Sequence, residues 1–136
     1  MLPYFTNFSY ALIVDPLGID ESVMSLYVEN NISVQRSRAE DFLDNYSGVL
    51  FDEVWIYNVL QHVLEPEKIL RKLYKVTRKL RIGEPLEVPT DTHHPYRLTR
   101  DWMIDIIKEI SIGGYFRETQ FDYLYFGGEF DLKVKL

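Results

Sequence analysis

The side chains of this chain best able to do chemistry fall in two places. In "FDEVWIYNVLQHVLEPEKIL", residues 51–70, an apolar run stops at Tyr57 and Asn58, and His62 follows four residues after the Asn. Polar groups placed there can face a ligand, because open α/β sheets bind their ligands outside the carboxyl ends of their strands. The plainer reading of His62 is local capping or packing. In "TDTHHPYRLT", Asp91, His93 and His94 are groups able to bind a metal or a substrate acid. Adjacent histidines rarely point the same way and no third ligand stands at a suitable spacing, so no metal is expected. The alternative for this stretch is a polar loop ahead of a capped helix. Two acidic positions also stand out: Asp15, which with Pro16 ends an apolar run, and Glu40, beside Asp41 in a segment where a helix N-terminus would favour acids.

These residues need elements to hold them. "ALIVDP" is a continuous apolar run of the kind buried on both faces of a parallel sheet. "DESVMSLYVENN" reads as a helix with Asp20 as N-cap, Val23, Leu26 and Tyr27 on one face, and Asn30-Asn31 at its end. "ISVQ" is a short strand, and "AEDFLDNYSG" a loop or short helix with Phe42, Leu43 and Tyr46 as its apolar members. "EVWIYNV" is a third buried strand. Pro66 suits a helix's first turn, and Ile69, Leu70, Leu73, Val76 and Leu80 continue at helical spacing until Gly83. "LEVPTDT" is the candidate fourth strand. Thr99 caps a helix whose inner face is Trp102, Met103, Ile106, Ile107 and Ile110, ended by Gly113-Gly114. Phe130, Leu132, Val134 and Leu136 alternate with charged residues, a period-2 strand that Gly127-Gly128 would join to "FRETQFDYLYF" as a hairpin. The fold class expected is α/β: a mostly parallel sheet with helices on both faces and a C-terminal antiparallel hairpin.

Composition narrows the function. The 136 residues, 46% hydrophobic and 26% charged, suit one domain over residues 1–136 with a real core. A net charge of −6 speaks against nucleic acid as the main partner. Seven of the fifteen Lys and Arg fall between Lys68 and Arg81, which reads as a solvated helix face more than as an anion site. There is no cysteine, hence neither disulfide nor thiolate metal site. No apolar run approaches membrane-spanning length, and the N-terminus lacks the basic start of a secretory signal, so the cytoplasm is the default location.

"IVDPLGIDE", "RAEDF", "FDEVWIYNVLQHVLEPEKILRKLYKV" and the closing hairpin occur in an order and at a spacing that resemble a class I S-adenosylmethionine-dependent methyltransferase of the type 11 kind, from about Ala11 onward. The resemblance implies a Rossmann-like fold, S-adenosylmethionine as cofactor and a small-molecule methyl acceptor. It implies that Asp15 accepts hydrogen bonds from the ribose hydroxyls, which one carboxylate can do for both. It implies that Ala39 and Glu40 clasp the adenine, although Arg38 stands where relatives often have Asp. It implies that Tyr57 and Asn58 fall beside the methionine part of the cofactor, and His93 and His94 in the region that lines the acceptor pocket. Methyl transfer needs mainly in-line positioning, with a base only where the acceptor carries a proton; His62 is the candidate for that base.

The family's first strand and its Gly-rich loop are absent, so the expected domain is N-terminally truncated. About ten residues precede "ALIVDP", and a strand with its crossover needs roughly ten to twelve beyond the strand itself. The gap would be repaired by direct pairing of the strands ending at Asp15 and Asn58, by the N-terminal segment, or by a second copy in a homodimer. Tyr4, Phe5, Phe8, Tyr10, Tyr123, Tyr125 and Phe126 offer apolar surface for such contact. Three functions follow: a methyltransferase, a non-catalytic binding or interaction protein keeping that fold, or a subunit whose partner chain completes the cofactor site.

Overall fold

The structure, a computed structural model, describes residues 8–135. The chain divides into two compact units, the first ending at Asn45 and the second beginning at Tyr46.

The first unit is β1 (Ala11–Asp15), α1 (Glu21–Glu29), β2 (Ile32–Arg36) and α2 (Ala39–Asn45). β1 and β2 pair in parallel, with Ala11 opposite Ile32 and Asp15 opposite Arg36. Asp20 caps α1 by accepting from the Ser22 amide at 2.8 Å. Asn31, at φ 58°, turns the chain from α1 into β2. The apolar run of β1 was expected to be buried on both faces, yet all five of its residues are only half-buried. Among the described residues, β1 lies in a two-stranded sheet with β2 as its one partner. α1 contributes no buried residue, and the expected inner face of Val23, Leu26 and Tyr27 stays partly or fully open. Among the described residues of this unit only Ile32, Glu40 and Leu43 are buried.

The second unit is β3 (Val54–Tyr57), α3 (Pro66–Lys72), a 3-10 turn (Leu73–Lys75), β4 (Lys79–Leu86), α4 (Arg100–Ile110), β5 (Ser111–Gln120) and β6 (Leu124–Leu132). Its sheet runs β3-β4-β6-β5. β3 and β4 are parallel, with Tyr57 opposite Gly83, and the β4–β6 and β6–β5 ladders are antiparallel. Direct pairing of the strands ending at Asp15 and Asn58 is not among the ladders: β1 pairs with β2 and β3 with β4, in separate sheets. As an edge strand, β3 buries one residue fully, Ile56. The unit's core is Leu60, Ile69, Leu70, Leu73, Val76, Leu80, Ile82 and Leu86 with Met103, Ile106, Ile107 and Ile110 of α4 and Phe126, Phe130 and Leu132 of β6.

Three expectations are corrected here. The helix from Pro66 does not continue to Leu80; it ends in the 3-10 turn, and Lys79–Leu86, not "LEVPTDT", forms the strand. Buried Thr77 makes the switch, its Oγ1 donating to the Phe51 carbonyl at 3.1 Å and accepting from the Lys79 amide at 3.1 Å. Gly113-Gly114 do not end α4, which passes straight into β5 at Ser111 through a register irregularity between Ser111 and Gly113. Gly127-Gly128 do not form the hairpin turn either. They lie inside β6, opposite Gly83 and Ile82, and the connection is residues 121–123. Gly128 is needed for close approach, since a Cβ there would stand 2.6 Å from the Tyr115 carbonyl oxygen. Thr99 caps α4 as expected, accepting from the Trp102 amide at 3.2 Å.

Among the basic residues from Lys68 to Arg81, Lys68, Arg71 and Arg81 hold acids, and Arg78 holds the Tyr74 and Thr77 carbonyls. Lys68 pairs with Glu65 at 3.1 Å, Arg71 with Glu67 at 2.7 Å and with Glu109, and Arg81 with Glu129 at 2.7 Å and with Glu53.

Candidate functional site

In the first unit, Asp15 closes β1 as an Asx turn. Its Oδ1 accepts from the amides of Leu17 at 2.8 Å and Gly18 at 3.1 Å, and Gly18 takes φ 77° to complete the bend. Oδ2 has no hydrogen-bond partner among the described residues. The Asp15 carbonyl accepts from the Ser37 amide at 3.2 Å, which ties the end of β1 to the turn leading into α2. Ala39 and Glu40 open that helix, so Asp15, Ala39 and Glu40 lie at one end of the β1–β2 pair. Glu40 is 4% exposed, buried where a solvated position was the alternative.

In the second unit the chain leaves β3 through a turn. Asn58 sits at φ 55° and donates its amide to the Gly83 carbonyl at 2.8 Å, continuing the β3–β4 ladder one step. Its side-chain oxygen accepts from Gln61 Nε2 at 2.5 Å. The Tyr57 ring lies on Gly83, where an added Cβ would come within 2.7 Å of Tyr57 Cδ1. Partial burial raises the Tyr57 phenol above its ordinary value, opposed by Arg81.

His62 follows on the turn, its amide donating to the Val59 carbonyl at 2.9 Å. Its Nδ1 lies 2.8 Å from the His93 carbonyl, an acceptor only, so the neutral ring carries its proton on Nδ1 and leaves Nε2 as the lone pair. The His94 ring lies 4.7 Å from the His62 ring, centroid to centroid. His94 Nδ1 faces both Asp91 oxygens, at 2.9 and 3.0 Å, and Asp91 Oδ1 also accepts from the His93 and His94 amides at 2.7 and 2.8 Å. The His94 side-chain bond, then the His93 amide, hold the Asp91 carboxyl below its ordinary value. The residues after β3 and after β4, separate in the sequence, thus meet as one imidazole pair backed by a carboxylate. Among the described residues no group of three or more His, Asp or Glu is arranged to hold a metal ion.

No family model matches the sequence, and no curated protein matches it. Solved structures do. The N-terminal domain of EvdMO1 with S-adenosylhomocysteine bound superposes on 95% of this chain and 76% of its own length, at 13% identity and TM-score 0.65. The N-methyltransferase NodS from Bradyrhizobium japonicum WM9, in complex with S-adenosylhomocysteine, covers 90% of this chain and 66% of its own, at 15% identity and TM-score 0.60. This chain has the class I methyltransferase fold. An S-adenosylmethionine-dependent methyltransferase from Archaeoglobus fulgidus agrees, over 88% of this chain and 69% of its own, at 16% identity and TM-score 0.54. Against the full length of EvdMO1 the chain spans 33%.

The sequence reading of this methyltransferase fold missed one residue. Glu84 of β4 is fully buried, and its Oε1 accepts from the amides of Val59 at 2.8 Å and Leu60 at 3.1 Å, the turn that carries Asn58 and His62. Oε2 is buried with no hydrogen-bond partner, as is Oε1 of Gln61. Burial pushes the Glu84 carboxyl up to about 7, against the two amide bonds. The one sequence signal is a lone acid between Gly83 and Pro85 in an apolar run.

Proposed function

We propose that this chain binds S-adenosylmethionine and takes part in methyl transfer to a small-molecule acceptor. The observation that carries the reading is the convergence of His62, His93, His94 and Asp91 beyond the carboxyl ends of β3 and β4. That is the position where open α/β sheets bind ligands, and the neighbours of this fold hold S-adenosylhomocysteine.

Within the first unit, Asp15 suits the group. Asp15 keeps Oδ2 for a ribose hydroxyl while Oδ1 holds its own turn. By the family resemblance, Ala39 and Glu40 of the first unit are proposed for the adenine, and, taken separately, Tyr57 and Asn58 of the second unit for the methionine part. When bound, the cofactor supplies an electrophilic methyl group. The chain's own residues orient the acceptor and receive its proton: His62 accepts at Nε2, with Nδ1 held by the His93 carbonyl. His93 and His94 line the acceptor side, with Asp91 fixing the His94 ring.

A homodimer is part of the proposal, with Tyr10, Tyr123 and Tyr125 as exposed contact rings. Phe126, expected in that surface, is 1% exposed and belongs to the core, while Tyr4, Phe5 and Leu136 lie outside the described residues. No helix among the described residues is long and apolar enough to cross a membrane; the cytoplasm is the proposed location.

The test is calorimetric titration of the purified chain with S-adenosylhomocysteine. Micromolar binding, weakened at least tenfold by Asp15→Ala, is expected. No heat at millimolar ligand would sink the reading for the chain alone and return the choice to a binding protein or a partner-completed subunit.

A further inference from the structure

Glu84 is an acid in the wrong surroundings for a charge. It is 0% exposed, its cross-strand neighbour on β6 is Phe126, and the groups that meet it from the turn after β3 are the Val59 and Leu60 amides. No ionised side chain contributes to its titration; burial comes first, opposed by the two amides.

The donor count is one short. Oε1 takes both amides, whereas Oε2 of Glu84 and Oε1 of Gln61 are buried acceptors without a donor. The Gln61 amide nitrogen is already used on Asn58. A carboxylate offers acceptors only, whereas a carboxylic acid supplies one O–H. A buried acceptor left unserved carries a desolvation cost, and a neutral carboxyl lowers it for Glu84.

We infer that Glu84 is a positioning residue. It carries the backbone of the Asn58–His62 turn on Oε1, and a proton on the buried Oε2 keeps the carboxyl neutral while it does so. The inference rests on the reading of that turn as ligand-facing. Glu84 acts through the backbone that presents Asn58 and His62.

Two variants test it. Glu84→Gln keeps a carbonyl for the two amides and places an N–H where the acid proton would be. Glu84→Leu removes both. S-adenosylhomocysteine binding by calorimetry and hydrogen exchange of the Val59 and Leu60 amides are followed from pH 6 to 8. In the wild type, affinity and amide protection fall as pH rises through about 7. Glu84→Gln is expected to bind within about twofold of the wild type at pH 6 and to lose the pH dependence. Glu84→Leu is expected to bind about tenfold more weakly, the equivalent of losing one well-formed hydrogen bond, with both amides unprotected. Glu84→Leu binding like the wild type, or Glu84→Gln failing as badly as Glu84→Leu, would overturn the inference. Should the wild type bind no cofactor, the functional reading fails separately, and the exchange data decide alone: pH-dependent protection abolished by Glu84→Gln sustains the positioning role, and protection indifferent to residue 84 ends it.

Discussion

Glu84 should make the folded protein less stable as the solution becomes more alkaline, the reverse of the usual carboxylate. The sign follows from proton linkage. An ordinary glutamate titrates at 4.5, whereas folding raises Glu84 to about 7. Between those values the native state holds a proton that the unfolded chain has released, so the slope of unfolding free energy with pH is negative. The stabilisation is fully present below 4.5 and is lost as pH rises through about 7. Each pKa unit corresponds to about 1.36 kcal/mol, so the full loss by pH 8 is on the order of 3 kcal/mol. Other groups titrate as well, among them Asp20, Glu53, Glu87, Asp91 and Glu109, all held below their ordinary values. Their stabilisation is present above the unfolded pKa and vanishes in acid, and it cancels in a comparison of wild type with Glu84→Gln. The assay is urea unfolding of both proteins at pH 5, 6, 7 and 8. Glu84→Gln is expected to match the wild type near pH 5 and to exceed it progressively, by on the order of 3 kcal/mol at pH 8. A difference between the two proteins that does not change with pH would refute the reasoning.

Two further outcomes follow from packing. Phe126 is buried between Phe116, 5.0 Å away, and Phe130, 6.2 Å away, so Phe126→Ala should cost about 3–5 kcal/mol in urea unfolding, whereas Tyr125→Ala on the open face should cost little. Gly83→Ala would press a methyl group to within 2.7 Å of Tyr57 Cδ1, so a loss of about 1–3 kcal/mol and a shifted Tyr57 ring resonance are expected by urea unfolding and NMR; a native Tyr57 signal at native stability would contradict the close approach.

The parts of the fold legible in the sequence were those fixed locally. Asp15 ends a strand, and Asp20 and Thr99 cap helices, because a side chain satisfies a backbone group two or three residues away. What failed was decided at a distance. Leu73, Val76 and Leu80 satisfy helical spacing, yet Leu80, Ile82 and Glu84 also alternate, and β3 and β6 settled the matter by pairing with both edges of β4. Gly127-Gly128 carries the signature of a tight turn, but a glycine needed for close strand approach looks the same in one dimension. The site divided likewise. His62 and His94 stood out by residue type and their rings lie together, with His93 joining through its backbone, whereas Glu84 was invisible because an isolated glutamate is read as a surface residue.

The thin interior of the first unit has a dynamic consequence. Among its described residues Ile32 and Leu43 are the buried apolar side chains and α1 buries none, so these elements have little to hold them against local opening. Its strand amides should exchange with deuterium well before those of β4 and β6. Asp15, Ala39 and Glu40 ride on that unit, so the apparent affinity of any ligand they hold is scaled by the fraction of time the unit is closed. Ligand binding would then tighten the first unit as much as the unit grips the ligand, and thermal protection of residues 11–45 becomes a direct measure of occupancy.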